Sequence, residues 1–427
     1  MGINQIRLIS EIFSLQRDII SDGYDQALNM LCQQFPLKVH EYASGTHCWT
    51  WRIPDKWSCE EAYVETLDGK RIIDQQDHPL YVASYSVNID QIVTRTELLS
   101  HLHLHPHLND QPPFVFYYYE PNWGFCGGKN ILDTLTDEEY RVVIRSRFEP
   151  GALKVGEYYL PGDSDDCFVL GSHLCHPCQV NDGLSGVVTA LAVMQELAAY
   201  PRRRYSYRLL ITPETIGSIA WLSHNEDLIP KLKGGLFLDM TGLRQPPALQ
   251  MSYFGNTQVD ICLKHVHMRS ESGAWWAPYR GVVGNDERQF NAPGVRIPML
   301  SYSRALPWGH PHRPYKEYHS AADNLDITSD EMLEKSKSTI LAMIEAWEDN
   351  YYPGNLFKGE VFLAGIDLAV DRHRNLPLHR NILKIMDCID GSNSIGDIAE
   401  KLNLPFTEVK TFVNRLKDVG LISVLDA

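Results

Sequence analysis

The stretch 167–197 constrains the fold more than any other part of this chain. An apolar run over 167–170 predicts a buried strand, and the apolar residues over 187–197 predict a helix. The loop between them is polar, contains several glycines, and carries His173, His176 and Asp182. A strand, a polar loop and a helix in this order are typical of α/β sheets, in which ligands bind at the carboxyl ends of the strands.

The region 155–350 repeats this alternation of strand and helix. Strands are predicted over 168–171, 207–211, 235–238 and 298–301, and helices over 186–200, 216–225, 258–268 and 329–350. Glu214 follows the second of these strands and Asp239 follows the third. The pattern predicts an α/β fold, a three-layer α/β/α sandwich around a largely parallel or mixed sheet, with its polar loops at the strand ends.

The composition is that of a soluble globular protein. With 427 residues, of which 44% are hydrophobic and 22% charged, the chain is long enough for two or three domains. Its net charge of −15 disfavours nucleic acid and anionic membranes as partners. Charges interrupt the first segment, no apolar run approaches the ~18 residues of a membrane span, and the nine cysteines show no disulfide framework. We therefore expect a cytoplasmic protein with reduced thiols.

The pattern of residue types along the chain changes near residues 50, 150 and 366. Short apolar runs, aromatic residues and turn dipeptides predict a small β-rich domain over 51–149, inserted into an α/β domain made of 1–50 and 150–365. The insert contains the run His101-Leu-His-Leu-His-Pro-His107, whose alternating histidines share one face of a strand. Such a face can bind a metal, but no carboxylate or cysteine completes a ligand set nearby, so a polar surface is the favoured interpretation.

The polar residues at the strand ends are of the types that bind zinc, namely histidine and carboxylate. Asp239 ends an apolar strand, where its carboxylate is costly to bury unless it is paired or bound to metal. His319 precedes a helix, and Asp323 is close enough in sequence to orient its ring. Each residue alone could cap a helix or a turn. Together they favour a hydrolytic metal site, in which a nearby carboxylate takes the proton of the attacking water.

Four short motifs resemble one known family. They are Asn181-Asp-Gly-Leu-Ser-Gly186, Leu238-Asp-Met-Thr-Gly242, Asn285-Asp-Glu-Arg-Gln-Phe290 and Tyr318-His-Ser-Ala-Ala-Asp323. Their text and order are similar to those of the co-catalytic zinc aminopeptidases, the group that includes the glutaminyl cyclases, over 155–350. The resemblance implies a fold of zinc-aminopeptidase type, one or two zinc ions, and a metal-bound water that attacks an amide carbonyl of a peptide or another small molecule.

The resemblance also implies a role for each matching residue. Asp182 is expected to bridge two metals, Asp239 to bind the first metal and His319 the second, and Asp286 to lie in a shell around them. The family carries two consecutive glutamates, a general base and then a ligand, where this chain has Glu214-Thr215. We expect Glu214 to be the base; in the other assignment it is a ligand and the base is missing. The missing second glutamate also fits a pseudo-enzyme that only binds, and cyclisation and deacylation are alternative amide reactions.

The first loop leaves its metal ligand open. His173 fits the register of the family, whereas His176 is closer in sequence to Asp182 and is slightly preferred. One site made of a histidine, Asp182 and Asp239 is therefore a safer prediction than two.

Other residues are predicted to surround the site or to contact the substrate, namely Arg288, Arg304 and His310. For the arginines, pairing with the acidic residues of the chain itself is the favoured alternative, and for His310 a role in stiffening its loop. Cys175 and Cys178 have the spacing of a zinc knuckle, but without a second pair they are interpreted as buried thiols.

The last segment, 366–427, has a pattern of its own. Helices over 379–388, 394–402 and 406–419, followed by a strand over 421–425, predict a winged-helix domain. Residues 367–427 hold eight Lys and Arg against nine Asp and Glu, so protein contact or self-association into a homo-oligomer is favoured over DNA binding. Together with the insert, this module resembles a poorly characterised group of bacterial aminopeptidase-like proteins, whose substrates need not be peptides.

Overall fold

Two helices begin the part of the chain that the computed structural model describes, which comprises residues 3–370, 373 and 375–425. They are α1 (Gln5–Ile12) and α2 (Asp22–Gln34). Asn4 and Ser21 cap them, because each side chain accepts a hydrogen bond from a backbone N–H group of the first turn.

The next region forms mostly short strands, and one helix. They are β1 (Lys38–Ala43), β2 (His47–Cys48), β3 (Trp51–Arg52), β4 (Lys56–Glu65), β5 (Arg71–Asp74), β6 (Ile89–Thr94), α3 (Arg95–Ser100), β7 (Leu102–Leu104), β8 (Phe125–Gly127) and β9 (Glu139–Glu149). β5, β4, β9 and β6 form an antiparallel sheet in this order, separate from the central sheet. This arrangement agrees with the β-rich texture of 51–149, and the status of that segment as an inserted domain stays a prediction.

The region 152–348 alternates strands and helices as the sequence predicts. The elements are β10 (Ala152–Leu160), β11 (Cys167–His173), α4 (Gly186–Ala199), β12 (Ser206–Thr212), α5 (Ile216–Ser223), β13 (Leu232–Leu238), β14 (Pro247–Gln250), α6 (Gln258–His267), β15 (Trp275–Ala277), α7 (Glu287–Phe290), β16 (Met299–Arg304) and α8 (Asp330–Glu348). The four strands and four helices predicted for this region are all present.

One mixed sheet of eight strands forms the centre, in the order β1-β10-β12-β11-β13-β16-β14-β15. β12, β11, β13 and β16 run parallel to one another, whereas β1, β10 and β14 each run antiparallel to a neighbour. Because the four inner strands are parallel, their carboxyl ends lie along the same edge of the sheet. β1, β14 and β15 are short strands that the sequence patterns did not predict.

The middle of the sheet is buried on both faces. All seven residues of β11 are buried, as expected of a strand between two parallel neighbours. α4 is buried throughout its first nine residues, Gly186 to Met194, and contacts both the sheet and the helices α1 and α8. A helix that is apolar on all sides requires this enclosed position.

The chain ends in β17 (Tyr352–Asn355), α9 (Leu376–Asp387), α10 (Ile395–Leu402), α11 (Phe406–Asp418) and β18 (Ile422–Leu425). β18 pairs antiparallel with β17, so the final strand joins a segment that precedes the predicted boundary at 366. α10 packs on α6, where Gln258 donates a hydrogen bond to Asp397. The assignment of these helices to a winged-helix domain stays a prediction. Among the described residues, no helix is both long and apolar enough to cross a membrane.

Candidate metal centre

Polar side chains gather where the parallel strands end. His173 is the last residue of β11, Asp239 follows β13 directly, and Glu214 lies two residues beyond β12. Since these three strands are neighbours and parallel, their ends place the three side chains at one edge of the sheet.

The turn between β11 and α4 brings Asp182 to the same edge. Gly183 has φ of 102°, in the left-handed region that glycine adopts most readily. A Cβ atom at this position would lie 2.6 Å from the carbonyl oxygen of His173 and 2.7 Å from its ring. Glycine is therefore needed for the turn to pass close to His173, and this close approach sets Asp182 beside the strand end.

Asp182 is shared by two groups of potential metal ligands. In the first triad, His173 Nε2 lies 3.3 Å from Asp182 Oδ1 and 3.7 Å from Asp239 Oδ2. In the second triad, Asp182 Oδ2 lies 3.9 Å from His176 Nε2 and 2.7 Å from His319 Nε2. Within each triad the ligand atoms all lie within 4.8 Å of one another, which is close enough for a common metal ion.

Two of these polar atoms, the ring nitrogens of His173, lack hydrogen-bond partners although they are buried. A buried polar atom without a partner is costly, and imidazole nitrogen with carboxylate oxygen is a donor set that suits zinc. The residues present therefore fit a divalent cation in each triad, with Asp182 common to both.

The charges of the triads are strongly coupled. Burial alone would raise the pKa of Asp182, but the facing imidazoles of His176 and His319 hold it well below its usual range. Burial raises the pKa of Asp239, and the nearby charge of Asp182 raises it further. Two carboxylates this close repel each other, and positive charge between them relieves the repulsion.

In the structure, both His173 and His176 lie among the potential metal ligands. Each histidine lies in one triad, and their ring centroids are 4.5 Å apart. The sequence analysis treated them as alternatives because the family that the chain resembles has one histidine ligand in this loop.

Glu214 lies beside the triads rather than within them. Its Oε2 is 3.6 Å from His176 Nε2, and its Oε1 is 3.4 Å from Arg288 Nη2. Burial is the main cause that raises the pKa of Glu214 to about 7. A carboxylate with such a pKa, next to a metal site, has the properties of a general base near neutral pH.

The turn that carries Glu214 is fixed by Asp286. Its carboxylate accepts hydrogen bonds from the hydroxyls of Thr212 and Ser218, at 2.9 and 2.6 Å, and from the backbone N–H of Thr215. Thr215 has φ of 64°, an unfavourable backbone conformation that these bonds help to hold. Asp286 therefore acts on the turn that carries Glu214, and its place in a shell around a metal stays a prediction.

Asp323 does not orient the His319 ring, and that prediction is wrong. Its carboxylate accepts hydrogen bonds from the backbone N–H groups of Asn181 and Asp182 and from the hydroxyl of Tyr315. It thus holds the turn that presents Asp182. A carboxylate four residues from a histidine suggests a local partner, but two buried backbone N–H groups of a distant turn bind it instead.

Two predicted residues lie away from the triads. Arg304 is buried and contacts Glu271, the hydroxyl of Ser336 at 3.0 Å and the carbonyl of Gln245 at 3.0 Å. His310 lies on an exposed loop, where its Nδ1 accepts a hydrogen bond from the backbone N–H of His312. Neither residue lines the cleft, whereas Arg288 does.

The sequence analysis missed Arg17, which supports the loop that carries His173 and His176. We call this loop the metal loop. The Arg17 guanidinium donates hydrogen bonds to the backbone carbonyls of Leu174, His176 and Gln179 at 2.9, 2.6 and 3.0 Å. The side chain is fully buried, and it also donates to the carbonyl of Ile12 at the end of α1. Its only sequence signal is a single arginine within an apolar segment, which does not reveal its partners.

A cleft of about 550 Å³ opens beside Glu214 and His319. Its lining residues include Trp51, the run Phe116-Tyr-Tyr-Tyr-Glu120 and Arg288. Phe114, from the same segment, packs against the rings of both His176 and His319, at centroid distances of 4.8 and 5.5 Å. The segment 114–120 therefore shapes both the cleft and the second triad.

Comparisons with known proteins agree with this description. Residues 6–350 match the family model of a domain of unknown function, DUF4910. A Clostridium acetobutylicum protein named "putative polysaccharide biosynthesis protein with aminopeptidase-like domain" is 34% identical over 98% of this chain and 95% of its own. The crystal structure of a "putative peptidase" from Clostridium acetobutylicum is also 34% identical and superimposes with a TM-score of 0.86, covering 98% of this chain and 96% of that one.

The fold is also similar to that of a zinc aminopeptidase from Bacillus subtilis. That structure has 13% identity and a TM-score of 0.57, and the match covers 81% of this chain and 95% of the other. At this identity the likeness concerns the fold. The expectation of an α/β fold of aminopeptidase type is thereby confirmed.

Proposed function

Because this chain belongs to the DUF4910 family and has an aminopeptidase-like fold, we propose that it is a metal-dependent hydrolase of amide bonds. The observation that carries the proposal is the position of Asp182 between two triads of buried ligand atoms, with Glu214 beside them. A single strand-end carboxylate needs no metal, whereas three histidines and two carboxylates that gather together, with both ring nitrogens of His173 buried and unpartnered, favour one.

In this proposal, the first triad holds one zinc ion and the second triad holds another. Zinc supplies a Lewis acid for the carbonyl group and lowers the pKa of a water molecule. The chain itself has to place the amide in the cleft, accept the proton of the attacking water and return a proton to the leaving amine.

Glu214 is the residue proposed to move the proton. It is half-buried at the wall of the cleft, and burial raises its pKa to about 7, so that it can both accept and release a proton near neutral pH. Arg288, 3.4 Å from Glu214 Oε1, fixes the orientation of this carboxylate. The N–H of Glu214 donates to Cys175 Sγ, which ties the residue to the metal loop.

His176 can take the place of the missing second glutamate as a metal ligand. The aminopeptidases that this sequence resembles use a glutamate at the position of Thr215 as a metal ligand, and here the Thr215 hydroxyl lies 3.5 Å from Arg288 instead. His176 gives the second triad its third donor. We infer that His176 replaces the lost carboxylate, so that a threonine at 215 is compatible with catalysis.

The first experiment measures the metal content of the purified protein by mass spectrometry, alongside the Asp239→Ala variant. We expect about one or two zinc ions per chain, and fewer in the variant. Asp326→Ala, which alters an exposed aspartate outside the triads, should leave the metal content unchanged. Absence of transition metal from all three proteins, even after incubation with zinc, contradicts the proposal.

The second experiment tests Glu214. In Glu214→Gln the metal content should stay near that of the original protein, because Glu214 belongs to neither triad. Hydrolysis of an aminoacyl amide that the original protein cleaves should fall about 10²–10⁴-fold, the usual contribution of a general base. Undiminished hydrolysis in this variant would exclude Glu214 as the base.

A further inference from the structure

A second pocket adjoins the cleft and differs from it in charge. It has a volume of about 720 Å³, and its walls include Arg280, Arg288, Arg296, Tyr253 and Tyr279. We call it the arginine pocket. Trp51, Thr215 and Arg288 line both this pocket and the cleft, so the two cavities are adjacent.

The arginine pocket contains three guanidinium groups and no carboxylate among the described residues that line it. Across the described part of the chain, Arg280 and Arg296 form no ion pair with Asp or Glu, although acidic residues outnumber basic ones by 54 to 39 in the sequence. Like charges held together in one concave surface repel one another and attract anions. None of the acidic residues in the described part of the chain lies in the wall of this pocket.

Aromatic rings rather than acids hold the arginines in place. The Arg296 guanidinium lies 3.7 Å above the centre of the Tyr253 ring and donates a hydrogen bond to the Asn291 carbonyl at 3.1 Å. The Arg280 guanidinium lies 5.4 Å from the centre of the Tyr279 ring. A guanidinium that stacks on a ring keeps most of its N–H groups free for a planar or tetrahedral oxyanion.

Both arginines also have an unfavourable backbone. Arg280 has φ of 64° and Arg296 has φ of 55°, in the left-handed region that residues other than glycine rarely adopt. Such conformations cost free energy and are found mostly at functional sites. Among the described residues, Arg280 and Arg296 are the only charged residues that line this pocket but not the cleft, and both have this backbone conformation.

From this geometry we propose that the substrate carries an anionic group, a phosphate or a carboxylate, which the arginine pocket binds while the amide lies at Glu214. The proposal rests on the amide-hydrolase function proposed above. Arg288 marks the junction, because its Nη2 is 3.4 Å from Glu214 Oε1 and its side chain also lines the arginine pocket. The anionic group therefore lies on the Arg280 and Arg296 side of Arg288, away from the reacting carbonyl.

The binding test uses inorganic phosphate and succinate as probes, titrated calorimetrically into the metal-loaded full chain. The test variant is Arg280→Gln with Arg296→Gln. Its affinity for the bound probe should fall about 10-fold or more, because two charge-assisted contacts are lost. Arg280→Lys with Arg296→Lys keeps the charge and should retain part of the affinity, and Arg147→Gln, on the exposed outer sheet, should bind like the original protein.

The two probes separate the two sources of the anion. Tighter binding of phosphate identifies a phosphorylated substrate, and tighter binding of succinate identifies a carboxylate. Any phosphate that binds at the triads is unaffected by the glutamine variant, since neither arginine belongs to a triad. Equal affinity in the original protein and the glutamine variant, or no binding of either probe, overturns the proposal.

A kinetic test separates this proposal from the hydrolase function. With an amide that carries the preferred anion, the glutamine variant should raise KM about 10-fold with little change in kcat, and with the matching neutral amide it should change neither. Anion binding without any hydrolysis refutes the hydrolase function and leaves the pocket as a binding site. Hydrolysis with the same KM for both amides in the original protein refutes the role of the pocket.

Discussion

The two triads that share Asp182 are built in different ways. The first triad uses side chains at strand ends, and His173 and Asp239 are both 0% exposed. The second triad uses loops, and the side chain of His319 is 28% exposed. One half of the site is therefore fixed by the central sheet, whereas the other half depends on segments that lie on top of it.

The difference has a clear source in the packing. Asp239 accepts hydrogen bonds from the backbone N–H of Gly183 and the side chain of Asn285, at 2.8 and 2.9 Å, so its carboxylate is already oriented. His319 is held by its carbonyl, which accepts a hydrogen bond from the Phe114 N–H at 2.8 Å, and by stacking on Tyr318. We expect the first triad to bind metal more tightly than the second, because less has to be ordered on binding.

The largest effect should come from removing the residue common to both triads. Asp182→Ala takes a ligand from each metal, so we expect the loss of both zinc ions and of all hydrolysis above background. Metal analysis after gel filtration checks this prediction. Full metal content in the variant would mean that Asp182 does not bridge the two sites.

The next largest effect should distinguish the triads from each other. His319→Ala should release one zinc ion and keep the tighter one, whereas His173→Ala should weaken the tighter one. Stepwise dialysis of the original protein against increasing chelator should likewise remove zinc in two stages. Release of both ions from the original protein in a single stage would contradict two unequal sites.

The positions of some site residues could be predicted from the local sequence, whereas their roles stay predictions. Asp239 directly follows the apolar strand β13, and the turn 181–186 lies between the apolar strand β11 and the helix α4, so both positions follow from the predicted alternation of strands and helices. The four parallel strands of the sheet were found for the same reason, since buried parallel strands are continuous apolar runs.

The parts that depend on distant contacts were not predicted. Arg17 acts on backbone carbonyls more than 150 residues away, and the true partner of Asp323 lies 142 residues earlier in the chain. The arginine pocket could not be foreseen either, because Arg280 and Arg296 lie in irregular segments whose meeting with Trp51 and Tyr253 depends on the tertiary fold. No sequence pattern of period 2 or 3.6 encodes such contacts.

A smaller loss of zinc affinity should follow from a substitution at Arg17, which supports the metal loop. Arg17→Lys keeps a positive charge but cannot donate to three carbonyls in a fixed plane, so the loop that carries His173 and His176 should become less ordered. We expect zinc affinity to fall about 10–100-fold, as for residues that orient metal ligands. Competition with a fluorescent chelator measures this change.

Arg304→Lys is the matched control for that variant. Arg304 is equally buried and also binds backbone carbonyl and hydroxyl groups, but it lies away from the triads. Its substitution should lower the melting temperature without changing zinc affinity. If the two variants lose stability alike and zinc affinity changes in neither, Arg17 only stabilises the fold.

The smallest effect should be a loss of zinc affinity in the second triad alone, caused by a substitution at Phe114. Phe114 packs against His176 and His319, and its backbone N–H holds the His319 carbonyl, so the segment 114–120 limits the motion of the looser histidines. Phe114→Leu keeps an apolar side chain and the backbone bond, at a stability cost of about 1 kcal/mol. We expect only the weaker zinc ion to lose affinity, by about 3-fold, or roughly 0.7 kcal/mol. An equal loss of affinity for both ions would show that the two triads are coupled through Asp182 and cannot be loosened separately.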